Sequence, residues 1–210
     1  MKKMFVILAL FVLVPLTALS QTKLSDEDKE LITERIKQKL DSFQDDLSMI
    51  AGRNDEDLKN RAVKSCLELF VEKGEPYIEY IILNGVSTPN RNTGVKIQTS
   101  SRNGQKRTPQ LMKKYLDRMK GMLNYTNIVI EAADAVKVGD IYRQSDGRYI
   151  STATICQHFI GFRENYKVYE DYTLKTVKIY IDKEEIMTPD GTQIAWLIKL
   201  GDMNVLETWY

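Results

Sequence analysis

The spacing of apolar residues changes once along this chain, from a helical period in the first half to the two-residue period of strands in the second. Before about residue 123, most apolar side chains recur at intervals of three and four, as on one face of a helix. After residue 125, apolar and polar residues alternate over long runs that short polar turns separate. Helices followed by a block of consecutive strands are typical of the α+β class.

Three helices are predicted, over residues 25–52, 54–74 and 108–123. The first begins at a capping sequence and the third has Thr108 as its N-cap, with Pro109 at the first helical position. Each helix has one apolar stripe that is expected to face the core. The stripe of the first helix consists of Ile32, Ile36, Leu40, Phe43, Leu47 and Ile50.

Six strands are predicted, and the last four follow one another without an intervening helix. Their ranges are 77–83, 95–100, 125–138, 148–162, 169–182 and 193–209. A polar loop over 84–94 joins the first two, and tight turns join the long ones into an antiparallel meander. The expected fold is therefore α+β, with three helices packed on one face of a bent antiparallel sheet of about six strands, in the order ααββαββββ.

This order of elements, together with the length of the chain, resembles the nuclear-transport-factor-2-like, or cystatin-like, cone. In that fold a strongly bent sheet wraps around a long helix. The resemblance covers nearly all of residues 21–210, although the long strands and the 84–94 loop exceed what a minimal cone needs. It implies an open mouth, in which enzymes of this shape use a carboxylate and a Tyr or His, and a homodimer formed through the sheet.

Residues 1–20 have the composition of a secretory signal peptide. A basic start precedes the apolar run Met4–Leu16, and Ala18–Ser20 supplies small residues at a cleavage site. This predicts cleavage near Ser20–Gln21, one domain over 21–210, and a periplasmic or extracellular location with no membrane span in the mature chain. A retained membrane anchor is the alternative, for which the apolar run is short.

The charge balance argues against nucleic acid as a partner and suggests one local anion-binding surface. Loss of Lys2 and Lys3 takes the formal net charge from +1 to −1, so the mature chain lacks a general basic excess. Residues 102–120, however, contain seven basic residues against the single acidic Asp117. A solvated helix face is the alternative interpretation. The binding residues predicted in this segment are Arg107, Lys113, Lys114 and Arg118.

Eleven aromatic residues lie between positions 142 and 210, which is more than one side of a sheet can bury. We expect some of them to line a concave mouth or an exposed sheet face, where aromatic side chains suit protein or carbohydrate contacts. The candidates for such contacts are Tyr172, Tyr180 and Trp196. Aromatic pairs across neighbouring strands are the alternative.

The two cysteines are expected to be unpaired thiols, although an exported location permits a disulfide. Alternation along the strand at 148–162 places Ala153 and Ile155 towards the core and Cys156 on the opposite face. Cys66 lies on the apolar stripe of the second helix and is expected to face the core. The two sulfur atoms should therefore lie in different layers.

The remaining chemistry-bearing residues form no complete catalytic or metal-binding set. His158 is the single histidine, so neither a zinc site nor a cofactor is predicted, and it is expected to be partly exposed on the polar sheet face. Asp134 is expected at a bulge or sheet edge, and Glu131 and the acids and phenols of 169–172 on a solvated face.

The sequence therefore favours recognition over catalysis. It predicts an exported, non-catalytic binding domain of the bacterial cell envelope, whose partner is a protein or another envelope component, and an anionic one if the basic helix makes the contact. The alternative is a cone-type lyase or isomerase that acts on a small apolar ligand. An enclosed apolar pocket that holds a buried carboxylate opposite a Tyr or His would favour this alternative, whereas a filled cone with a flat aromatic sheet face would exclude it.

Overall fold

The computed structural model describes residues 24–122, 124–144, 146–189 and 191–210. The signal peptide predicted over 1–20 and its cleavage site lie outside these ranges, as does Leu123 near the end of the predicted third helix. Within the described ranges, no helix has both the length and the apolar character needed to cross a membrane.

Three α-helices are present: α1 (Asp26–Ala51), α2 (Glu56–Glu68) and α3 (Met112–Lys120). The predicted N-cap of α1 is confirmed, since the Ser25 hydroxyl accepts a hydrogen bond of 3.0 Å from the backbone N–H of Asp28. The six residues of its predicted apolar stripe are all fully buried. A 3₁₀ turn, Val71–Gly74, follows α2.

The strands form a two-stranded hairpin and a separate sheet of eight strands. Their bounds are β1 (Tyr77–Leu83), β2 (Val86–Asn92), β3 (Lys96–Ile97), β4 (Gln110–Leu111), β5 (Asn127–Ala132), β6 (Lys137–Val138), β7 (Tyr142–Arg143), β8 (Tyr149–Arg163), β9 (Tyr166–Thr188) and β10 (Gly191–Trp209). The hairpin is β1–β2, and the large sheet has the order β4-β3-β10-β9-β8-β5. The short strands β6 and β7 pair with β8 along the same edge as β5, nearer to the start of β8.

The α+β class, the three helices and the antiparallel meander of β8, β9 and β10 are confirmed. The strand count and order differ from the prediction. The sheet is mixed rather than antiparallel, because β3 pairs with β10 in parallel. The single strand predicted over 125–138 is divided into β5 and β6, because the chain leaves the sheet at residues 133–136.

Two predicted segments have a different structure. Residues 84–94 are not a long loop, since β2 pairs with β1 through the two-residue turn Asn84–Gly85. The third helix begins at Met112 rather than after Thr108, because Gln110–Leu111 pairs with Lys96–Ile97 as a strand. Gln110 and Leu111 therefore pair as a strand, although the local sequence predicts them in the first turn of a helix.

The two faces of the large sheet have different partners. The face that packs against α1, here called the inner face, carries the aliphatic side chains of Ile155, Val177 and Leu200, which belong to the core. The opposite, outer face is partly covered by the β1–β2 hairpin, whose Tyr77 hydroxyl lies 3.1 Å from that of Tyr180. Bulges at three points in the β8–β9 and β9–β10 pairings bend the sheet.

Candidate functional site

The inner face of the sheet extends beyond α1 and there forms the floor of a cavity of about 700 Å³. The β3–β4 connection and α3 form one side of this cavity. Met122, Asn124 and Tyr125 with the adjoining ends of β8 and β9 form the other. The part of the floor that matters for the chemistry consists of Gln157, Asp171, Thr173 and Lys175, all of them buried.

Lys175 is the basic residue of this floor, and it is only 3% exposed. Its Nζ donates a hydrogen bond of 2.6 Å to Oε1 of Gln157. The other amide atom, Gln157 Nε2, is buried and has no hydrogen-bond partner among the described residues. Burial lowers the pKa of the Lys175 amine to about 8, and the charge of Asp171 only partly opposes this effect.

Asp171 is the acidic residue of the floor and faces the cavity two positions from Tyr169 and four from Lys175. Burial raises the pKa of the Asp171 carboxyl. Two hydrogen bonds to this carboxyl lower its pKa: the Tyr169 hydroxyl donates to Oδ2 at 2.5 Å, and the Thr173 hydroxyl donates to Oδ1. Burial together with the hydrogen bond to Asp171 raises the pKa of Tyr169. The cavity thus holds a phenol and a carboxyl in direct contact, next to a buried amine.

An aromatic wall bounds the cavity on the side of β8. The rings of Tyr125, Phe159 and Tyr169 pack against one another at centroid distances of 5.7 to 6.4 Å. The Tyr125 ring lies against the backbone of Gly161, where an added Cβ would come within 2.4 Å of a ring carbon. Glycine at this position therefore lets the wall form.

Four exposed arginines surround the cavity: Arg102, Arg107, Arg118 and Arg163. The guanidinium of Arg102 lies 5.1 Å from the centroid of the Tyr169 ring, and Arg118 donates to Gln110 Oε1 at 3.0 Å. Within the described ranges none of the four forms a salt bridge. Guanidinium groups recognise carboxylate and phosphate groups, so this rim is a candidate anion-binding site.

The structure separates the four predicted basic residues. Arg107 and Arg118 line the cavity, together with Arg102 and Arg163, for which no binding role was predicted. Lys113 and Lys114 are exposed and do not line it. Lys113 forms a salt bridge of 3.3 Å with Glu75. Of the seven basic residues at 102–120, the three arginines thus line the cavity and the four lysines do not.

The three predicted aromatic residues lie apart from one another and outside the cavity. Tyr172 is on the outer face, where its ring stacks on His158 at 4.2 Å. Tyr180 is buried beneath the β1–β2 hairpin, and Trp196 is buried with its Nε1 donating to Asp28 Oδ1 at 2.9 Å. These side chains make cross-strand and core contacts, as in the alternative interpretation of the aromatic residues.

His158 is buried rather than partly exposed, and it faces away from the cavity. Each of its ring nitrogens lies 2.9 Å from a carboxylate, one from Glu131 and one from Glu170. Both nitrogens can donate only when the ring is protonated. Asp134 is exposed at the break between β5 and β6, where its side chain accepts from the N–H of Ala135.

Cys66 and Cys156 are buried, unpaired thiols, as alternation along the strand predicted. Burial raises the pKa of both, which makes them poor nucleophiles. No group of three or more His, Cys, Asp or Glu side chains in the described ranges is arranged to hold a metal ion.

Part of this site is not predicted by the sequence. No site role was predicted for Lys175 or Gln157, and Tyr169 and Asp171 were expected on a solvated face, whereas Asp171 is only 8% exposed. The available signal was alternation, since Lys175 has the same parity along its strand as Val177 and Ile179 and therefore belongs to the inner face.

Comparison of the chain with protein-family models, with curated proteins and with solved structures finds no match. None of these comparisons therefore identifies a family, and functional inference rests on the geometry of the cavity.

Proposed function

We propose that this chain is an exported, non-catalytic binding domain of the bacterial envelope that holds a small anionic molecule in the cavity on the inner face of its sheet. The observation that carries this proposal is a rim of four arginines, none of them in a salt bridge with another described residue, around a cavity of about 700 Å³. A volume of this order suits a small organic ligand, and guanidinium groups recognise carboxylate, phosphate and sulfonate.

The composition of the cavity narrows the class of ligand. The aromatic wall of Tyr125, Phe159 and Tyr169 offers apolar surface, whereas the rim offers positive charge. An aromatic or aliphatic acid satisfies both, because its hydrocarbon part packs on the wall while its anionic group pairs with the rim. The proposed ligand is therefore amphipathic rather than purely apolar.

We include in this proposal that the chain has a cone-like fold. A bent sheet, a long helix packed on its inner face and a cavity on that same face are the features that support it. The same resemblance implies a homodimer formed through the sheet, and light scattering on the purified chain tests that part.

Binding of the anionic fluorophore anilinonaphthalene sulfonate tests the proposed function. The wild-type chain is expected to bind it in preference to the uncharged fluorophore phenylnaphthylamine. Because each arginine–anion contact contributes about 1.5 to 3 kcal/mol, Arg102→Ala and Arg118→Ala are each expected to weaken binding of the sulfonate about tenfold or more. Fluorescence titration at fixed ionic strength measures both affinities.

Lys113→Ala is the matched control, since it removes a positive charge from α3 at a position outside the cavity. Its affinity for the sulfonate is expected to equal that of the wild type. Equal weakening by Lys113→Ala and Arg118→Ala would show that net charge, and not the cavity, attracts the probe. Equal binding of the charged and uncharged fluorophores would contradict an anion site.

A lyase or isomerase that acts on the same class of ligand is the second candidate. The contact between the Tyr169 hydroxyl and the buried carboxyl of Asp171, inside the cavity, is the observation that favours it. A carboxyl whose pKa is raised by burial, next to a phenol, is suited to proton transfer to or from a bound molecule.

A further inference from the structure

The environment of Lys175 is unusual for a structural lysine. Buried lysines are ordinarily paired with a carboxylate, because an unpaired charge inside a protein is strongly unfavourable. Here the single hydrogen bond of Nζ goes to the neutral amide of Gln157, and Nζ forms no salt bridge with any carboxylate, both within the described ranges. The amine is thus held at the floor of a cavity without the partner that would fix it as an ammonium ion.

The titratable groups that line the cavity together with Lys175 come from several elements. Asp171 and Tyr169 lie on the same strand, Tyr115 and Arg118 approach from α3, and Arg102 belongs to the β3–β4 connection. Burial shifts the pKa of the Lys175 amine downward and that of the Asp171 carboxyl upward, so both neutral forms gain population. A free amine is the nucleophile that carbonyl condensation requires, and the Asp171 carboxyl in the same cavity is a group that can relay protons during the reaction.

We infer that Lys175 is a reactive residue that forms an imine with the carbonyl group of an acid bound in the cavity. The ligand class is then an oxo acid or an aldehyde acid, with its anionic end at the arginine rim and its carbonyl at the floor. The inference rests on the proposed function, since the acid must first occupy the cavity.

The step balances without any further reactant. The lone pair of Nζ attacks the carbonyl carbon, the carbonyl oxygen takes up protons, and water leaves as the C=N bond forms. Starting from the free amine of Lys175 and the carbonyl group of the ligand, the products are the neutral imine and one water, because both protons of Nζ pass to the departing oxygen. The unpartnered Nε2 of Gln157 is a donor available at the floor for the carbonyl oxygen.

Reductive trapping tests the inference directly. The wild-type chain is incubated with para-carboxybenzaldehyde and cyanoborohydride, digested with trypsin and analysed by mass spectrometry. A modified Lys175 resists trypsin, so the adduct is expected on a peptide spanning residues 168–178. We expect about tenfold more adduct at Lys175 than at Lys199, the matched control, whose amine also has a lowered pKa but lies outside the cavity.

Three further measurements separate the possible outcomes. Benzaldehyde, which lacks the anionic group, is expected to label Lys175 much less, and labelling is expected to increase as the pH rises towards about 8. Lys175→Arg retains a cation and is expected to lose the adduct, whereas Lys199→Arg is expected to keep it. Absence of an adduct at Lys175 of the wild-type chain, or labelling equal to that at Lys199, overturns the inference, whereas failure of the wild-type chain to bind anilinonaphthalene sulfonate would overturn the proposed function.

Discussion

Lys175 occupies a position at which its neighbours on the same face of β9 are aliphatic. Val177 and Ile179 lie beneath the helices and belong to the core, whereas Lys175 lies at the end of the same row, where the cavity begins. Desolvation of its amine without a salt bridge destabilises the folded state at any pH at which the amine is charged. Retaining it at this position is consistent with a functional role.

Lys175→Met is expected to change the pH dependence of folding stability. The folded-state pKa of about 8 lies below the ordinary lysine value of 10.5, so the unfolded chain binds more protons between these two pH values. The contribution of Lys175 to stability therefore rises with pH across this window, by about 3 kcal/mol when the whole shift is expressed. Denaturant unfolding at a series of pH values measures it.

The variant is compared with the wild type at each pH, because tyrosines also titrate at the upper end of this window. We expect the variant to be the more stable protein at neutral pH and the difference to shrink above pH 8. A difference that stays constant with pH would mean that the lysine is not desolvated as the structure indicates.

The sequence identified two of the arginines at the rim of the cavity but not the residues of its floor. Arg107 and Arg118 were predicted as binding residues from the excess of basic residues at 102–120. Asp171 was placed on a solvated face, because an acid next to exposed residues is usually solvated. Local sequence carries no information on whether a sheet position is covered by a helix, by solvent or by a cavity.

At the level of elements, the β1–β2 hairpin is the clearest departure from expectation. The turn Asn84–Gly85 is a strong hairpin signal, and both residues have positive φ, +52° and +78°. The signal was overlooked because β2 is polar and contains Pro89, a composition typical of a loop. Proline is tolerated there because β2 pairs on one side only.

Gly85→Ala is expected to destabilise the hairpin. No atom lies within 4 Å of a Cβ added there, so the effect comes from the positive φ alone and amounts to about 1 kcal/mol. Hydrogen exchange of the β1 and β2 amides, measured against exchange in β9, localises the loss.

Gly85→Asn is the matched control, since asparagine adopts the left-handed region more readily than alanine. It is expected to lose less protection than Gly85→Ala at the same amides. If the two variants exchanged alike, backbone conformation at this turn would not be what holds the hairpin.

For the molecule as a whole, α1 and the large sheet share one core. Phe43 of α1 packs edge-on against Phe70 with 5.6 Å between ring centroids, and it joins the same cluster as Ile155 and Val177 of the sheet. A core that includes both layers predicts that helices and sheet unfold together.

Phe43→Ala is expected to lower the free energy of unfolding by about 3 to 5 kcal/mol, because it leaves a cavity in this shared core. Far-ultraviolet circular dichroism and tryptophan fluorescence are expected to report the same denaturation midpoint. Leu31→Ala, which removes an exposed side chain of the same helix, is expected to change stability by less than about 0.5 kcal/mol. Separate midpoints for the two signals would contradict a single core.

The sequence by itself determined the α+β class, the extent of α1 and its buried stripe, and the three long antiparallel strands. These features are encoded locally, in the period of apolar residues and in capping and turn residues, so a window of neighbouring residues is enough to predict them. Only the tertiary structure decided that Gln110–Leu111 pairs with β3, that the sheet is mixed, and that a cavity lies at the end of the inner face.

The physical reason is that alternation assigns a side chain to a face of the sheet but does not determine what lies opposite that face. Val177 and Lys175 have the same parity on one strand, yet the first packs in the core and the second lines the cavity. The difference arises from the positions at which the helices end and from the path of the β3–β4 connection with its arginines. Both depend on contacts between residues that are far apart in the sequence.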